Sequence, residues 1–88
     1  MTVHTAYIAL GANLGDRAES IRTAARLLGA HKSCVIRRVS SLYETAPVGV
    51  EDQPDFLNAV VGLRTLLEPL ELLELCRQVE ITIGRKRT

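Results

Sequence analysis

Aromatic residues, long apolar runs and an excess of one charge are all scarce in this sequence of 88 residues. Only 3% of the residues are aromatic, whereas 47% are hydrophobic, so the core must be built from aliphatic side chains. A net charge of +1 gives no general attraction for nucleic acid or for an anionic membrane. The first apolar run covers only residues 6–10, which is too short for a signal sequence or a membrane span. We therefore predict one cytoplasmic domain, residues 1–88.

Cysteine is also rare, and the two cysteines are far apart in the sequence. Neither Cys34 nor Cys76 has a closely spaced cysteine or histidine partner, so the sequence shows no zinc pattern and no disulfide framework. We interpret both as small buried apolar residues.

The first third of the chain predicts a strand, a tight turn and a helix. Residues 6–10 are apolar on both faces, which is typical of an interior strand covered on both sides or of a central strand in a small sheet. The turn GANLGD ends in Asp16, a good N-cap, and Glu19 follows three residues later as in a capping box. We interpret the turn as a helix start rather than a phosphate-binding loop, and we expect Gly29 to end the helix. Its buried positions should be Ala18, Ile21, Ala24, Ala25 and Leu28.

The middle of the chain predicts two strands joined by an unusually long loop. The first strand covers about Cys34 to Tyr43. The loop contains Pro47 and Pro54, and a long ordered loop usually holds something. The next strand begins at Phe56 and alternates, which places Phe56 and Asn58 together on the outer face at the mouth of the loop. Its core face should consist of Leu57, Ala59, Val61 and Leu63.

The last segment predicts a second helix. Pro69 suits its first turn, and Gly84 marks a candidate end. Arg77, Glu80 and, if the helix continues, Arg87 should share one flank, where a salt bridge from Arg77 is the alternative to a functional role for Glu80. The predicted buried stripe consists of Pro69, Leu72, Leu73, Cys76, Val79 and Ile83.

The element order defines the expected fold class. Strand, helix, strand, strand, helix is an α+β arrangement, and it supplies five of the six elements of the ferredoxin-like split βαβ unit. The final strand, which would lie beside the first strand, is missing. The first strand should therefore be an open edge, covered by another chain or by a further segment of a longer protein.

Three separated motifs together resemble one enzyme family. YIALGANLGDR, SSLYETAPVGVEDQPDFLNAVV and LCRQVEITIGRKR, in this order and spacing, are similar to 6-hydroxymethyl-7,8-dihydropterin pyrophosphokinase. The resemblance implies transfer of a pyrophosphoryl group from ATP to the hydroxymethyl group of a reduced pterin, with release of AMP. It also implies Mg²⁺ as the metal cofactor.

The same resemblance implies roles for particular residues. The pterin-binding residues would be Thr45, Ala46, Val48, Phe56 and Asn58. The ATP-binding residues would be Arg77, Glu80, Arg85 and Arg87, of which Arg85 and Arg87 would be catalytic. Ala46, Phe56 and Arg77 stand where the family more often has proline, tyrosine and glutamine.

In this family a later strand carries an Asp-x-Asp pair that binds the magnesium ions, and no such pair occurs here. Asp16, Asp52 and Asp55 are the only aspartates, and none sits in an alternating pair on a strand, so we assign no metal ligand in this chain. We expect the magnesium ligands beyond residue 88. The chain is then the amino-terminal portion of a pyrophosphokinase and inactive alone.

Two rival functions remain at this point. One is a small non-catalytic binding module that associates with a second copy through the open sheet edge. The other is RNA binding through the basic end GRKRT, which ranks last because the net charge is low and we expect no aromatic pair on an exposed sheet face. We expect no nucleic-acid partner and no membrane partner.

Overall fold

The computed structural model describes residues 1–49 and 52–87, with side-chain surroundings given up to residue 84. The elements in chain order are β1 (His4–Ala12), α1 (Arg17–Ala30), β2 (Cys34–Val39), β3 (Tyr43–Thr45), β4 (Phe56–Thr65) and α2 (Pro69–Arg87). The α+β class and the order strand, helix, strand, strand, helix are confirmed. One difference is that the predicted second strand is divided into β2 and β3.

The division between β2 and β3 follows from an extra residue opposite β4. Val39 pairs with Val61 and Tyr43 pairs with Asn58. Between these pairs the chain advances four residues in the β2–β3 segment but only three in β4, as in a β-bulge. Ser40 bridges the gap, because its N–H donates to the Val60 carbonyl (2.9 Å) and its Oγ accepts from the Val60 N–H (2.8 Å). β2 and β3 therefore act as one interrupted strand.

β4 is the centre of the antiparallel sheet, with β1 on one side and β2 and β3 on the other. Its inward residues are confirmed as core, since Ala59, Val61 and Leu63 are fully buried. Within residues 1–49 and 52–87, β1 pairs with β4 alone, so β1 is an edge strand, as expected without a sixth element.

The expectation that β1 is covered on both faces is wrong. β1 is longer than the predicted 6–10, and its residues alternate between half-buried and exposed. Ile8 packs toward the helices, whereas Tyr7 is 71% exposed. Both helices lie on one side of the sheet, because the partly buried residues of β1 and α2 pack into the same cluster around Leu28.

α1 begins where the N-cap predicts. Asp16 Oδ1 accepts from the Glu19 N–H at 3.1 Å, and Gly15 has φ +64°, which glycine adopts without strain. The capping box is only half formed, because the Glu19 carboxylate accepts from Arg22 (3.3 Å) instead of from the backbone N–H of Asp16. Ile21, Ala24 and Leu28 are buried as predicted, whereas Ala18 and Ala25 are only partly buried.

α1 does not end at Gly29 but continues to Ala30. Gly29 serves close packing, since a Cβ there would lie 3.0 Å from Ile36 Cγ1. Gly29 also lacks the positive φ of a glycine helix cap. The lack of a side chain at Gly29 thus lets α1 approach β2.

α2 buries a narrower stripe than predicted and passes straight through Gly84 to Arg87. Leu72 and Val79 are buried, with Cys76 and Ile83 partly buried against the same cluster. Leu73 is 65% exposed and Pro69 is exposed too, so the prediction is wrong for these two. Leu73 is one helical step from Leu72, and that step rotates the side chain about 100° away from the core.

The cysteine prediction is confirmed for Cys34, which is buried with its Sγ 3.3 Å from Thr65 Oγ1. Cys76 is only partly buried, and this burial raises the pKa of its thiol.

The outer face of the sheet carries both tyrosines, contrary to the expected lack of an exposed aromatic pair. Tyr7 lies opposite Gly62 of β4, and Tyr43 lies opposite Asn58. The two tyrosines are separated by four residues of β4, about 13 Å, so they do not form one stacking platform. Among the residues described, no helix is long and apolar enough to cross a membrane.

Candidate functional site

Asn58 is the most connected polar side chain on the outer face of the sheet. Its Nδ2 donates to Thr45 Oγ1 (2.8 Å) and to the Tyr43 carbonyl (3.2 Å). Both partners belong to β3, so the amide nitrogen is used within the protein. The Oδ1 atom points the other way, toward Gly11 of β1, and is an acceptor.

Gly11 provides the space beside Asn58 and Phe56. A Cβ at Gly11 would lie 3.2 Å from Asn58 Oδ1 and 3.7 Å from Phe56 Cδ1. Gly11 pairs directly with Asn58 in the β1–β4 ladder. The ring of Phe56, the amide of Asn58 and the bare backbone of Gly11 therefore meet at one point, where a flat polar molecule can be both stacked and hydrogen-bonded.

The structure brings together three of the five predicted pterin residues. Thr45, Phe56 and Asn58 are in contact, because Thr45 pairs with Phe56 and its hydroxyl holds Asn58. Ala46 follows Thr45 directly but is exposed. The side chain of Val48 is 96% exposed, so it does not contact the other four in this conformation.

Glu80 lies on the helix side of β1, at a cavity that residues of β1 also line. A cavity of about 120 Å³ lies between β1, α1 and α2, and its wall includes both Gly11 and Glu80. Gly11 thus faces Asn58 and Phe56 on one side and lines the Glu80 cavity on the other. Gly11 is therefore the residue that the two candidate groups have in common.

A second cavity lies between the start of α1 and the end of α2. Its volume is about 470 Å³, and Gly15, Asp16 and Ile83 line it. The backbone of α2 continues beyond this cavity through Arg85 and Arg87. The side chains of Arg85 and Arg87, both predicted ATP ligands, lie outside the described residues.

Arg77 is paired with Glu74, one helical turn earlier. Arg77 Nη2 donates to Glu74 Oε1 at 2.8 Å and Nε donates to Oε2 at 2.9 Å, so the contact is bidentate. These hydrogen bonds lower the pKa of Glu74 to about 2 and raise the pKa of Arg77. The predicted alternative partner, Glu80, is not the one that Arg77 contacts.

This ion pair leads to a pH prediction. The pKa of Glu74 is depressed from its ordinary value of 4.5. The ion pair therefore stabilises α2 at pH values above 4.5, and this stabilisation is lost as the pH falls toward about 2. We expect a carboxyl-carbon NMR titration of Glu74 to have its midpoint near 2, and to rise in Arg77→Gln. Arg22→Gln is the control and should leave it unchanged. An ordinary midpoint for Glu74 in the unmutated chain would contradict the pairing.

Metal-ligating side chains do not cluster in threes among the residues described. Across residues 1–49 and 52–87, no three histidine, cysteine, aspartate or glutamate side chains come together in a way that could hold a metal ion. The magnesium implied by the resemblance therefore has no ligand set among these residues.

Sequence reasoning missed Gly11 and Arg17 as parts of the site. Gly11 was treated only as part of a turn, although its position opposite Asn58 follows from the strand register. Arg17 donates from Nη1 to the Asp55 carbonyl at 2.9 Å, across 38 residues of sequence. No local pattern in the sequence could have indicated that contact.

The fold is that of a small α+β domain with an antiparallel sheet, and its candidate ligand site lies at the end of β1. Comparison with known proteins makes this specific. Residues 7–88 match the family described as 7,8-dihydro-6-hydroxymethylpterin-pyrophosphokinase (HPPK), and the chain belongs to this family. The resemblance inferred from three motifs is confirmed.

Individual relatives agree with the family match. The chain is 54% identical over 82 residues to the 2-amino-4-hydroxy-6-hydroxymethyldihydropteridine pyrophosphokinase of Bacillus subtilis, covering 93% of this chain and 49% of the relative. A Haemophilus influenzae protein of the same name is 40% identical, with 94% and 52% covered. The mitochondrial folate synthesis bifunctional protein of Arabidopsis thaliana is 51% identical, with 97% and 15% covered. The chain thus spans about half the length of these two bacterial relatives.

Proposed function

We propose that this protein transfers the pyrophosphoryl group of ATP to the hydroxymethyl group of 6-hydroxymethyl-7,8-dihydropterin and releases AMP, as a step in folate biosynthesis. The observation that carries the proposal is the meeting of Phe56 and Asn58 at Gly11, beside a cavity that Gly11 and Glu80 both line. Family membership and the names of the bacterial relatives support it.

The proposed pterin site uses each neighbouring group for a different task. The ring of Phe56 stacks on the flat heterocycle. Asn58 Oδ1 accepts N–H groups from the edge of the pterin, because Asn58 Nδ2 is already bonded to β3. Thr45 Oγ1 accepts from Asn58, which leaves the Thr45 hydroxyl proton free to donate. Ala46 and Val48 would complete the pocket from the loop.

The proposed nucleotide site uses residues of α2. Arg85 and Arg87 are the catalytic candidates, because the guanidinium forks of arginine fit phosphate oxygens and stabilise the charge on a transferring phosphoryl group. Glu80 and Arg77 would hold other parts of ATP. Arg77 can do so only by sharing or breaking its contact with Glu74, so we give it the smallest role.

Magnesium enters the proposal as a cofactor whose ligands lie outside residues 1–88. When bound, such an ion neutralises phosphate charge. The described residues contribute no ligand cluster, so this chain alone is expected to form no AMP. We also propose a cytoplasmic location, which the mitochondrial name of the Arabidopsis relative makes worth testing by cell fractionation.

A second candidate function is a non-catalytic module that completes its sheet with another copy. One observation favours it: in the part of the chain that the structure describes, the outer edge of β1 is unpaired. Light scattering over a concentration series distinguishes the two candidates. A stable dimer that binds neither pterin nor ATP would favour the module.

The proposal is tested by grafting this chain into the Bacillus subtilis relative in place of its matched segment. An identity of 54% over 82 residues makes the graft structurally conservative. We expect AMP to accumulate only when pterin, ATP and magnesium are all present. A folded graft that releases no AMP under these conditions would overturn the proposal.

A further inference from the structure

The first residue of α1, Arg17, links the two stems of the loop formed by residues 46–55. Its Nη1 donates to the Asp55 carbonyl at 2.9 Å, immediately before β4. The same Nη1 lies 3.6 Å from Glu44 Oε2 in β3, immediately before Thr45. One guanidinium group thus contacts both ends of the segment whose flanking residues, Thr45 and Phe56, form the candidate pterin site.

Arg17 is held on a rigid base. Asp16 caps α1 through the Glu19 N–H, and Ile21 anchors the first turns in the core with Ala59. The side chain of Arg17 is 30% exposed, whereas that of Arg22 is 62% exposed. The Arg17 guanidinium is therefore less screened by water and salt than that of Arg22, whereas its partner Glu44 is 57% exposed.

The contacts of Arg17 connect the β3–β4 pair to α1, which strand pairing does not do. β3 has three residues, and within residues 1–49 and 52–87 it pairs with β4 alone. Arg17 connects this short pair to a different element, α1, by a charge-assisted hydrogen bond. Without it, the separation of Thr45 and Phe56 depends on three residue pairs and on the Asn58 amide.

We propose that Arg17 is a positioning residue that fixes Glu44 and Asp55, and thereby sets the spacing of Thr45 and Phe56 for a flat reduced pterin. The inference rests on the proposed function for the identity of the ligand. Arg17 does not touch the ligand. It acts through the two loop stems, so removing it weakens pterin binding and leaves nucleotide binding intact.

The test combines a ligand-free and a ligand-bound measurement on Arg17→Ala. We expect faster amide hydrogen exchange in residues 43–45 and pterin binding weakened about tenfold, with unchanged affinity for an ATP analogue. Arg17→Gln, which keeps a donor for the Asp55 carbonyl but removes the charge, should give intermediate values. Arg22→Ala is the matched control, since Arg22 pairs only along its own helix with Glu19, and it should change neither measurement.

A double-mutant cycle tests the route through Glu44. Glu44→Gln should weaken pterin binding in the unmutated background and have a smaller effect once Arg17 is alanine. Unchanged exchange in residues 43–45, or unchanged pterin affinity in a folded Arg17→Ala variant, would overturn the positioning role alone. A folded unmutated protein that binds no pterin would overturn the proposed function, and the positioning role with it.

Discussion

Replacing Asn58 with alanine is expected to lower pterin-dependent AMP formation by the grafted enzyme by about 100-fold or more, because misplacement of a bound substrate by about 1 Å can cost that much. The substitution removes the acceptor Oδ1 that faces Gly11. It also removes two side-chain hydrogen bonds from β4 to β3, at the Tyr43 carbonyl and Thr45 Oγ1. Both the ligand contact and the frame around it are lost.

Two further variants separate these effects. Gln78→Ala removes an amide of the same kind from α2, where it bonds only to Glu74, and should leave AMP formation unchanged. Asn58→Asp keeps an acceptor but places a carboxylate oxygen against the Tyr43 carbonyl, so it should bind pterin poorly although the acceptor remains. Circular dichroism verifies folding. A folded Asn58→Ala graft with activity within about twofold of the unmutated graft would contradict the proposed pterin site, since 100-fold is expected.

Replacing Leu28 with alanine is expected to destabilise this chain by about 2–5 kcal/mol. Leu28 is 1% exposed and packs with Ala24 and Val79 where α1, α2 and the sheet meet. Small domains are stable by only about 5 kcal/mol or somewhat more. The variant should therefore unfold at a much lower urea concentration, or fail to fold at 25 °C.

Leu73→Ala provides the matched control on the other helix. Leu73 is 65% exposed, and surface substitutions usually change stability by no more than about 0.5 kcal/mol. Leu73→Ala also tests which face of α2 is buried, because sequence periodicity alone assigned Leu73 to the core. Equal urea midpoints for the two variants would contradict the packing of α1 and α2 described here.

Much of the fold could be predicted from local patterns. The cap at Asp16, the alternation of β4 and the outward position of Asn58 depend on neighbours within a few residues, and all three are confirmed. The errors arose where a long-range contact decides the outcome. Gly29 resembles a helix terminator, but its role is the approach of Ile36.

The division of the second strand could not be predicted from the sequence either. The register shift near Ser40 depends on how β4 is placed opposite both segments. Periodicity of the chain does not report pairing between strands.

Sequence patterns predicted Phe56 and Asn58 of the candidate site, but not Gly11, Arg17 or the hydrogen bonds. Phe56 and Asn58 were placed together by the two-residue period of a strand. The sequence could not indicate that Asn58 Nδ2 is bonded to Thr45 and that its oxygen faces Gly11. For the same reason the sequence suggested Glu80 as the salt-bridge partner of Arg77, although Glu74 binds it.

The central claim is that the pterin binds at the junction of Gly11, Thr45, Phe56 and Asn58. The most direct test is a titration of the isotope-labelled graft with 6-hydroxymethyl-7,8-dihydropterin, followed by amide NMR. The claim predicts that the largest shifts occur at the Asn58 side-chain amide and at the backbone amides of the other three residues. Shifts centred elsewhere, for example around Tyr7 and Arg64 on the far end of the sheet, or no shifts at all in a folded graft, would contradict it.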